Sequence, residues 1–264
     1  MSKLKFLNFV FILVCCLVYT SHCLARDYTD FEREYYIENI KKYTEEIKQN
    51  PNEALLYGAR GEAYYELGAY EQAIDDFTKS IALDNNNISA SSSYVYRAKA
   101  YKYIKKNDLA LQDFNKAIEL NKTYDGVYAA RGMFYYEINE NNKAIKDFTK
   151  SIELDSNDSY AYYYRGIAFF RINQNDKAIE DFTKSIQLNP KDYYAYYQRA
   201  CVYKVLDQKY KAIDDFTKAI QLNSNEFIFY NARGSMYYEL GEYEKALNDL
   251  NKAIELNPND IFFL

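Results

Sequence analysis

Hydrophobic and polar positions follow one another along most of this chain with the period of a helix face. Apolar side chains at steps of three or four residues predict amphipathic helices, because 3.6 residues make one helical turn. Between residues 125 and 158 one such stripe comprises Tyr128, Gly132, Tyr135 and Ile138, and a second comprises Ala144, Ile145, Phe148 and Ile152. The polar run 139–142 separates the stripes and predicts a turn. This stretch is therefore expected to form a hairpin of two antiparallel helices.

The same two-stripe pattern recurs six times, and a ladder of arginines marks its period. The arginines are Arg60, Arg97, Arg131, Arg165, Arg199 and Arg233, separated by 37, 34, 34, 34 and 34 residues. Each is followed by a glycine or alanine and, three residues later, by an aromatic residue. An alanine comes twelve residues after the small residue, and a phenylalanine or leucine four residues after that. This regularity predicts a repeat array, and the hairpins must stack because one hairpin cannot cover its own apolar face.

These positions resemble the tetratricopeptide repeat family over residues 54–260. The resemblance rests on an aromatic residue three before each arginine, together with the small, aromatic, alanine and phenylalanine positions. The family's proline near the end of a unit is present only at Pro190 and Pro258. The resemblance implies an all-α fold, a right-handed α-solenoid of antiparallel helix hairpins. In that family the first helices of the hairpins line a concave, partner-binding face.

The repeats and the breaks in their period divide the chain into ten segments. They are a signal peptide (1–25), an N-terminal region with a capping helix (26–53), repeat 1 (54–87), an insertion (88–90), repeat 2 (91–124), repeat 3 (125–158), repeat 4 (159–192), repeat 5 (193–226), repeat 6 (227–260) and a tail (261–264). Phe31 to Gln49 resembles only the second helix of a repeat. We therefore expect a single helix that caps the N-terminal end of the repeat array. The insertion lies in an Asn/Ser-rich stretch and predicts a lengthened surface loop.

The first 25 residues have the composition of a leader. Lys3 and Lys5 precede a nearly unbroken apolar run of 13 residues, Phe6 to Val18, and Cys23-Leu24-Ala25 offers a small-x-small cleavage signal. Thirteen residues are fewer than the roughly 20 that cross a bilayer. We expect an exported protein, periplasmic, secreted or in the secretory pathway. An uncleaved segment that anchors the chain in a membrane is the alternative.

Removal of the leader would also remove most of the reactive side chains. Three of the four cysteines and the one histidine lie in it, which leaves Cys201 and no imidazole. The sequence therefore offers no Ser-His or Cys-His pair, no spaced metal cluster and no Gly-rich phosphate loop. We expect a protein that is not an enzyme and takes no cofactor or metal. The net charge is −5, and −7 without the leader, which disfavours nucleic acid as a partner.

Each arginine of the ladder has an aspartate sixteen residues later. The aspartates are Asp76, Asp113, Asp147, Asp181, Asp215 and Asp249. In an antiparallel hairpin these positions could lie opposite each other, within a unit or across to the next. We predict a repeated Arg–Asp pairing that fixes the register of the helices, with ligand binding as the alternative.

The surface of the first helices is the candidate binding site. Repeats 3 to 5 place the following residues there: Met133, Tyr136, Tyr160, Tyr163, Tyr164, Ile167, Phe170, Tyr194 and Tyr197. Repeats 1 and 2 are more polar at the matching positions, with Gly58 and Glu62 among them. An aromatic surface beside a polar one suits an extended or helical peptide with apolar anchors. The alternative is that several of these tyrosines pack between successive repeats.

Together these observations favour an exported scaffold that binds a protein or peptide in an aromatic groove. The leading alternative is a structural or assembly protein that self-associates through its uncapped last repeat as a homo-oligomer. A glycan binder with stacked tyrosines is a third class, and it lacks convergent polar pairs. A carboxylate-gripping co-chaperone is disfavoured, because Glu62 would repel a carboxylate.

Overall fold

The computed structural model describes residues 30–84 and 88–258, and within these ranges the secondary structure is entirely helical. The helices are α1 (Asp30–Gln49), α2 (Ala54–Glu66), α3 (Tyr70–Leu83), α4 (Ile88–Tyr103), α5 (Asn107–Leu120), α6 (Asp125–Glu137), α7 (Asn141–Leu154), α8 (Ser159–Arg171), α9 (Asn175–Leu188), α10 (Tyr193–Val205), α11 (Lys209–Leu222), α12 (Phe227–Glu239) and α13 (Tyr243–Leu256). The expected all-α fold is confirmed. The calls on residues 1–25 and 261–264, the leader and the tail, lie outside the described residues.

The helices from α2 onward pair as six antiparallel hairpins, as the sequence predicts. They belong to two compact units, one with α1–α7 and one with α8–α13. Within each unit the second helix of one hairpin packs against the first helix of the next. Phe114 of α5, for example, lies 5.6 Å from Phe134 of α6, centroid to centroid. Each unit is therefore a stack of helix hairpins, which is the α-solenoid architecture.

One residue in each hairpin turn adopts the left-handed backbone region. Gly68 and Gly241 do so in the first and sixth hairpins, with φ of 76° and 78°. The other four turns use Lys105, Asn139, Asn173 and Asp207, with φ between 57° and 62°. This geometry ends the first helix with the two reversed hydrogen bonds of a Schellman motif. In the first hairpin the Gly68 N–H donates to the Tyr65 carbonyl at 3.0 Å and the Ala69 N–H to the Tyr64 carbonyl at 2.9 Å.

Small residues let the two helices of a hairpin approach closely. A Cβ atom added to Gly132 of α6 would lie 3.1 Å from the ring of Phe148 in α7. Phe148 and Ala144 are fully buried. The same contact recurs between Gly166 and Phe182, where the added Cβ would lie 2.9 Å from the ring. The phenylalanine rings that fill the core therefore pack directly against the backbone at the glycine positions of the repeat.

The insertion at residues 88–90 is helical, so the prediction of a lengthened loop is wrong. These residues form the first turn of α4, which has 16 residues where the other first helices have 13. Ala90 and Ser91 are buried, and the Ser91 hydroxyl donates to the Ala117 carbonyl at 3.0 Å. Three residues make almost one helical turn, so they lengthen α4 with little change in the direction of its faces.

The expected single front helix is present as α1. It packs against α2, and its Thr44 hydroxyl accepts a hydrogen bond from Arg60 Nη1 at 3.1 Å. Thr44 stands 34 residues before Thr78, which lies in the second helix α3. The front helix therefore supplies the contact that a preceding hairpin would supply. Within the described ranges, none of the helices combines the length and the hydropathy that a bilayer crossing requires.

Candidate functional site

The predicted Arg–Asp pairing is present in all six hairpins, and it lies within each hairpin. The arginine Nε and Nη2 atoms donate to the two carboxylate oxygens of the aspartate sixteen residues later, at 2.6 to 2.9 Å. This two-point geometry is the strongest that a guanidinium and a carboxylate can form. The aspartates are buried. The pairs therefore fix the register of the two helices, as the sequence analysis proposed.

In five of the hairpins a third arginine donor binds a side chain of the helix before it, and this contact was not predicted. Arg97 Nη1 donates to Thr78 of α3 at 3.0 Å, and Arg199 Nη1 to Thr183 of α9 at 2.9 Å. Arg131 uses Asn115 instead, at 2.6 Å. The signal was in the sequence, because a threonine or asparagine recurs two residues after each aspartate of the ladder. It was missed because a hydroxyl on a helix surface has no preferred partner on sequence grounds.

Aromatic rings and burial complete the environment of the pairs. The guanidinium of Arg60 lies 5.8 Å from the Tyr57 ring centroid and 6.0 Å from that of Tyr64. The hydrogen bond to Asp76 raises the pKa of Arg60, whereas burial of Asp181 raises the pKa of that carboxyl despite its bond to Arg165. Each arginine of the ladder is thus held between an aspartate and the aromatic residues of its own helix. The ladder is a structural device, and the ligand-binding alternative is disfavoured.

Most of the predicted groove residues lie inside the structure. The buried members are Tyr136 in the first unit and Tyr163, Tyr164, Ile167, Phe170 and Tyr197 in the second. Tyr163 packs 6.0 Å from Phe182, and Tyr197 packs 5.7 Å from Phe216, centroid to centroid. Both contacts lie within a single hairpin. Packing between repeats, which the sequence left as the alternative, is present at Tyr197, whose ring also lies 5.2 Å from that of Phe229 in the next repeat. These tyrosines therefore take part in the core. Their role in binding stays a prediction.

The remaining three predicted residues are accessible. Met133 in α6 and Tyr194 in α10 are half-buried, and Tyr160 in α8 is 46% exposed. The Tyr160 ring lies 4.4 Å from that of Tyr164, and the Tyr194 ring 4.6 Å from that of Tyr193. Tyr160 and Tyr194 occupy the same repeat position, 34 residues apart. The second unit therefore presents an exposed or half-exposed tyrosine on two successive first helices.

The tyrosines of α10 are held in place by the next hairpin. The Tyr194 hydroxyl donates to Glu226 Oε1 at 3.3 Å, and its ring lies 6.0 Å from Phe229 of α12. Asp192 caps α10 by accepting from the N–H groups of Tyr194 and Ala195 at 3.0 and 3.3 Å. Burial raises the pKa of Asp192, while these backbone hydrogen bonds lower it. The ring of Tyr194 is therefore oriented before any partner binds.

Cys201 and the carboxylates are the remaining candidate reactive groups in the described part of the chain. Cys201 is fully buried in α10. No three His, Cys, Asp or Glu side chains among residues 30–84 and 88–258 lie close enough together to hold a metal ion.

Comparison with known proteins places the repeats in a family. Models of the tetratricopeptide repeat match residues 54–87, 91–124, 159–192, 182–214 and 228–260, and a model of the TPR repeat matches 134–173. RNA polymerase II-associated protein 3 of Mus musculus is 36% identical over 86 residues, which are 33% of this chain and 13% of that protein. The chain thus spans a small part of the length of this relative.

Two solved structures share the fold. The crystal structure of MamA superposes with a TM-score of 0.58 at 28% identity, over 60% of this chain and 94% of MamA. PilW, a type IV pilus biogenesis factor, superposes with a TM-score of 0.70 at 18% identity, over 80% of this chain and 96% of PilW. The chain belongs to the tetratricopeptide repeat family and is a scaffold for protein–protein interaction.

Proposed function

We propose that this chain is an exported scaffold that binds an extended or helical peptide through the aromatic first helices of its second unit. The observation that carries the proposal is the pair of equivalent tyrosines, Tyr160 and Tyr194, each backed by a second tyrosine ring and at least partly open to solvent. Tyrosine gives a large amphipathic contact area and has few rotatable bonds, so it is a frequent anchor in protein recognition.

The hydrogen-bonded ladder supports the same proposal, because it makes the platform rigid. Arg199 bonds both Asp215 and Thr183, so the helix that carries Tyr194 is tied to α9 and to α11. A partner that binds a preorganised surface loses less conformational entropy on association. Most of the conformational entropy lost on binding is therefore lost by the peptide and not by this chain.

A random-peptide phage library selected on the immobilised full-length chain tests the proposal. Synthetic copies of the enriched peptides are then titrated against the wild type and the Tyr160→Ala/Tyr194→Ala variant. Losing two aromatic anchors is expected to cost about 2 kcal/mol or more, which weakens binding roughly 30-fold. Tyr210→Ala is the matched control, since Tyr210 is 70% exposed on the second helix α11. Equal affinities for all three proteins would contradict this assignment.

Export is part of the proposal and has its own test. The basic start, the apolar run and the small-x-small signal of residues 1–25 support a removable leader. The mass of the protein recovered from the source cells should equal that of a chain beginning at Arg26. A mass that includes residues 1–25 would favour the membrane-anchored alternative.

Self-association through the last repeat is a second candidate, and the exposure of α13 favours it. Tyr243, Leu247 and Ile254 are 65%, 60% and 43% exposed on that helix. The residues at the position of Leu247 in the five earlier repeats are only half-exposed. Light scattering on the full-length chain should show a concentration-dependent dimer that Leu247→Glu abolishes and Tyr210→Ala preserves. A monomer at every concentration would exclude this candidate.

A further inference from the structure

A cavity of about 260 Å³, lined by both apolar and polar side chains, lies in the first unit. Its walls come from α2, from the end of α3 and from the start of α4. The residues that decide its chemistry are Leu55, Gly58 and Glu62 of α2, Ser80 and Asp84 at the end of α3, and Ser93 of α4. Pockets for drug-sized ligands hold about 300–1,000 Å³. This cavity is therefore of a size for one side chain.

At one position that lines the cavity, α2 has no side chain, whereas two of the other first helices have a ring there. Gly58 stands two residues before Arg60, and the same position holds Tyr163 in α8 and Tyr197 in α10. A Cβ atom added to Gly58 would lie 3.5 Å from Ser80 Oγ and 3.6 Å from Ser93 Oγ, an ordinary contact distance. A larger side chain can therefore enter at Gly58, and the space is left open by the sequence.

The polar groups around the cavity are serine hydroxyls and two carboxylates. Ser80 Oγ and Ser93 Oγ are buried and lie 3.0 Å apart, so they form one hydroxyl pair in the wall. Ser89 donates to Asp84 Oδ2 at 2.8 Å. Glu62 supplies the second carboxylate, and burial raises its pKa. No lysine, arginine or histidine is among the lining residues.

We propose that this cavity binds the cationic side chain of a lysine or arginine on a basic peptide. The proposal rests on the proposed function in taking a peptide as the occupant. The groups that would bind the cation all belong to the first unit. A cation that approaches Glu62 regains the favourable electrostatics that the carboxylate lost on burial, because charges attract more strongly outside bulk water. The Ser80–Ser93 pair offers oxygen acceptors to the remaining N–H groups. The net charge of −5 attracts a basic segment at long range.

One residue of the chain opposes the incoming cation. Lys99 of α4 lowers the pKa of Glu62 by its charge, and its ammonium lies 4.9 Å from the centroid of the Tyr96 ring. A bound cation has to share the carboxylate with Lys99. Removal of this charge should therefore strengthen binding, whereas removal of the Glu62 charge should weaken it. If the cavity binds no cation, neither removal of the Lys99 charge nor removal of the Glu62 charge would change the affinity for a cation.

The first experiment uses a small cation and needs no peptide. The full-length chain, labelled with ¹⁵N-glycine, is titrated with n-butylguanidinium, with n-butylammonium and with neutral n-butylurea. The Gly58 amide resonance is expected to shift saturably with the two cations and not with the urea. The apparent affinity should fall at least about tenfold in Glu62→Gln and rise in Lys99→Gln. Gly166 serves as the internal reference and should not move. A Gly58 resonance that stays still, or responds equally to the urea, overturns the proposal.

The second experiment uses the library peptides selected on the wild-type chain. Some of them should carry a lysine or arginine whose replacement with norleucine weakens binding about tenfold or more. Gly58→Tyr should produce a similar loss, because its ring would fill the cavity as Tyr163 fills the matching place in α8. Gly58→Ala adds only a methyl group and is the matched control, and circular dichroism confirms that each variant is folded.

The two experiments separate this proposal from the proposed function. If no enriched peptide loses affinity with Gly58→Tyr or with the norleucine change, the cavity proposal is overturned. Peptides that depend on Tyr160 and Tyr194 would then leave the peptide-binding function standing. A cation response at Gly58 with no enriched peptide overturns the proposed function and the peptide as occupant, and retains only the cation site.

Discussion

The Arg199–Asp215 pair offers the sharpest test of how the hairpins are held together. Arg199 Nε and Nη2 donate to Asp215 at 2.8 and 2.9 Å, and Nη1 donates to Thr183 at 2.9 Å. The arginine side chain is 16% exposed and the aspartate side chain 10%. Arg199→Leu removes three donors at once. It leaves the Asp215 carboxylate in a largely buried position without its counter-charge.

The expected cost follows from the burial of the aspartate. Removing one partner of a buried ion pair typically costs about 3–5 kcal/mol, because the other charge is left uncompensated. Since both side chains keep some contact with solvent, we expect the lower end, about 3 kcal/mol. Thr183→Val removes a single neutral acceptor and should cost about 1 kcal/mol. Arg199→Leu/Asp215→Leu removes both charges and should lie within about 1 kcal/mol of the wild type.

Urea unfolding followed by far-ultraviolet circular dichroism measures these differences. With an m value of about 3 kcal/mol per molar urea, Arg199→Leu should lower the midpoint by about 1 M. The double-variant cycle then gives the coupling between the two residues. A stability of Arg199→Leu within about 0.5 kcal/mol of the wild type would refute the reasoning. So would a double variant whose loss equals the sum of the two single losses.

Two further substitutions test the turns and the close approach of the helices. Lys105→Gly should stabilise the chain by about 0.5–1 kcal/mol, because Lys105 has φ of 60° and glycine adopts that region without strain; an unchanged or lower urea midpoint would contradict this. Gly166→Val should destabilise by about 1–3 kcal/mol, because a Cβ there meets Phe182 at 2.9 Å. Gly166→Ala is its control and should cost less, since Ala200 fills the same position in α10; equal melting temperatures for both variants and the wild type would exclude a steric role.

The hairpins and the Arg–Asp pairs could be predicted because the same pattern of residues occurs six times in the sequence. Six copies of the pattern agree on where each helix begins, where it turns and which residues face each other. A spacing of sixteen residues places two positions opposite each other across a short turn, and it does so in every copy. The physical constraint is local to one hairpin. For that reason a single sequence was enough.

The helical insertion could not be predicted, because its stability comes from contacts distant in sequence. The stretch 85–93, which includes the start of α4, is rich in serine and asparagine, and these residues favour turns when considered alone. Ser91 reaches the Ala117 carbonyl, 26 residues away, and Ala90 is buried by packing. Tertiary contacts override local propensity at such places.

The surface residues of the first helices were hard to assign for a related reason. On a helix, neighbouring positions differ by about 100° in direction, so one helix contributes to the core and to the surface within a single turn. Tyr163 and Tyr164 are both buried, whereas Tyr160, one turn earlier, is 46% exposed. Which aromatic ring is buried depends on how closely the neighbouring helices approach it. The repeat pattern alone does not specify the distance between helices.

The contrast between Gly58 and Tyr163 shows how one framework can carry different binding chemistry. Both residues lie two positions before an arginine whose guanidinium binds an aspartate sixteen residues later. The ladder fixes the backbone at this position, so the residue there can change from glycine to tyrosine without a change in the fold. With tyrosine the space is filled by a ring that packs on Phe182, and with glycine it is a cavity beside Glu62. We therefore expect the side chains at the positions next to the ladder to set binding specificity in this chain. The ladder leaves them free to vary because it depends on none of them.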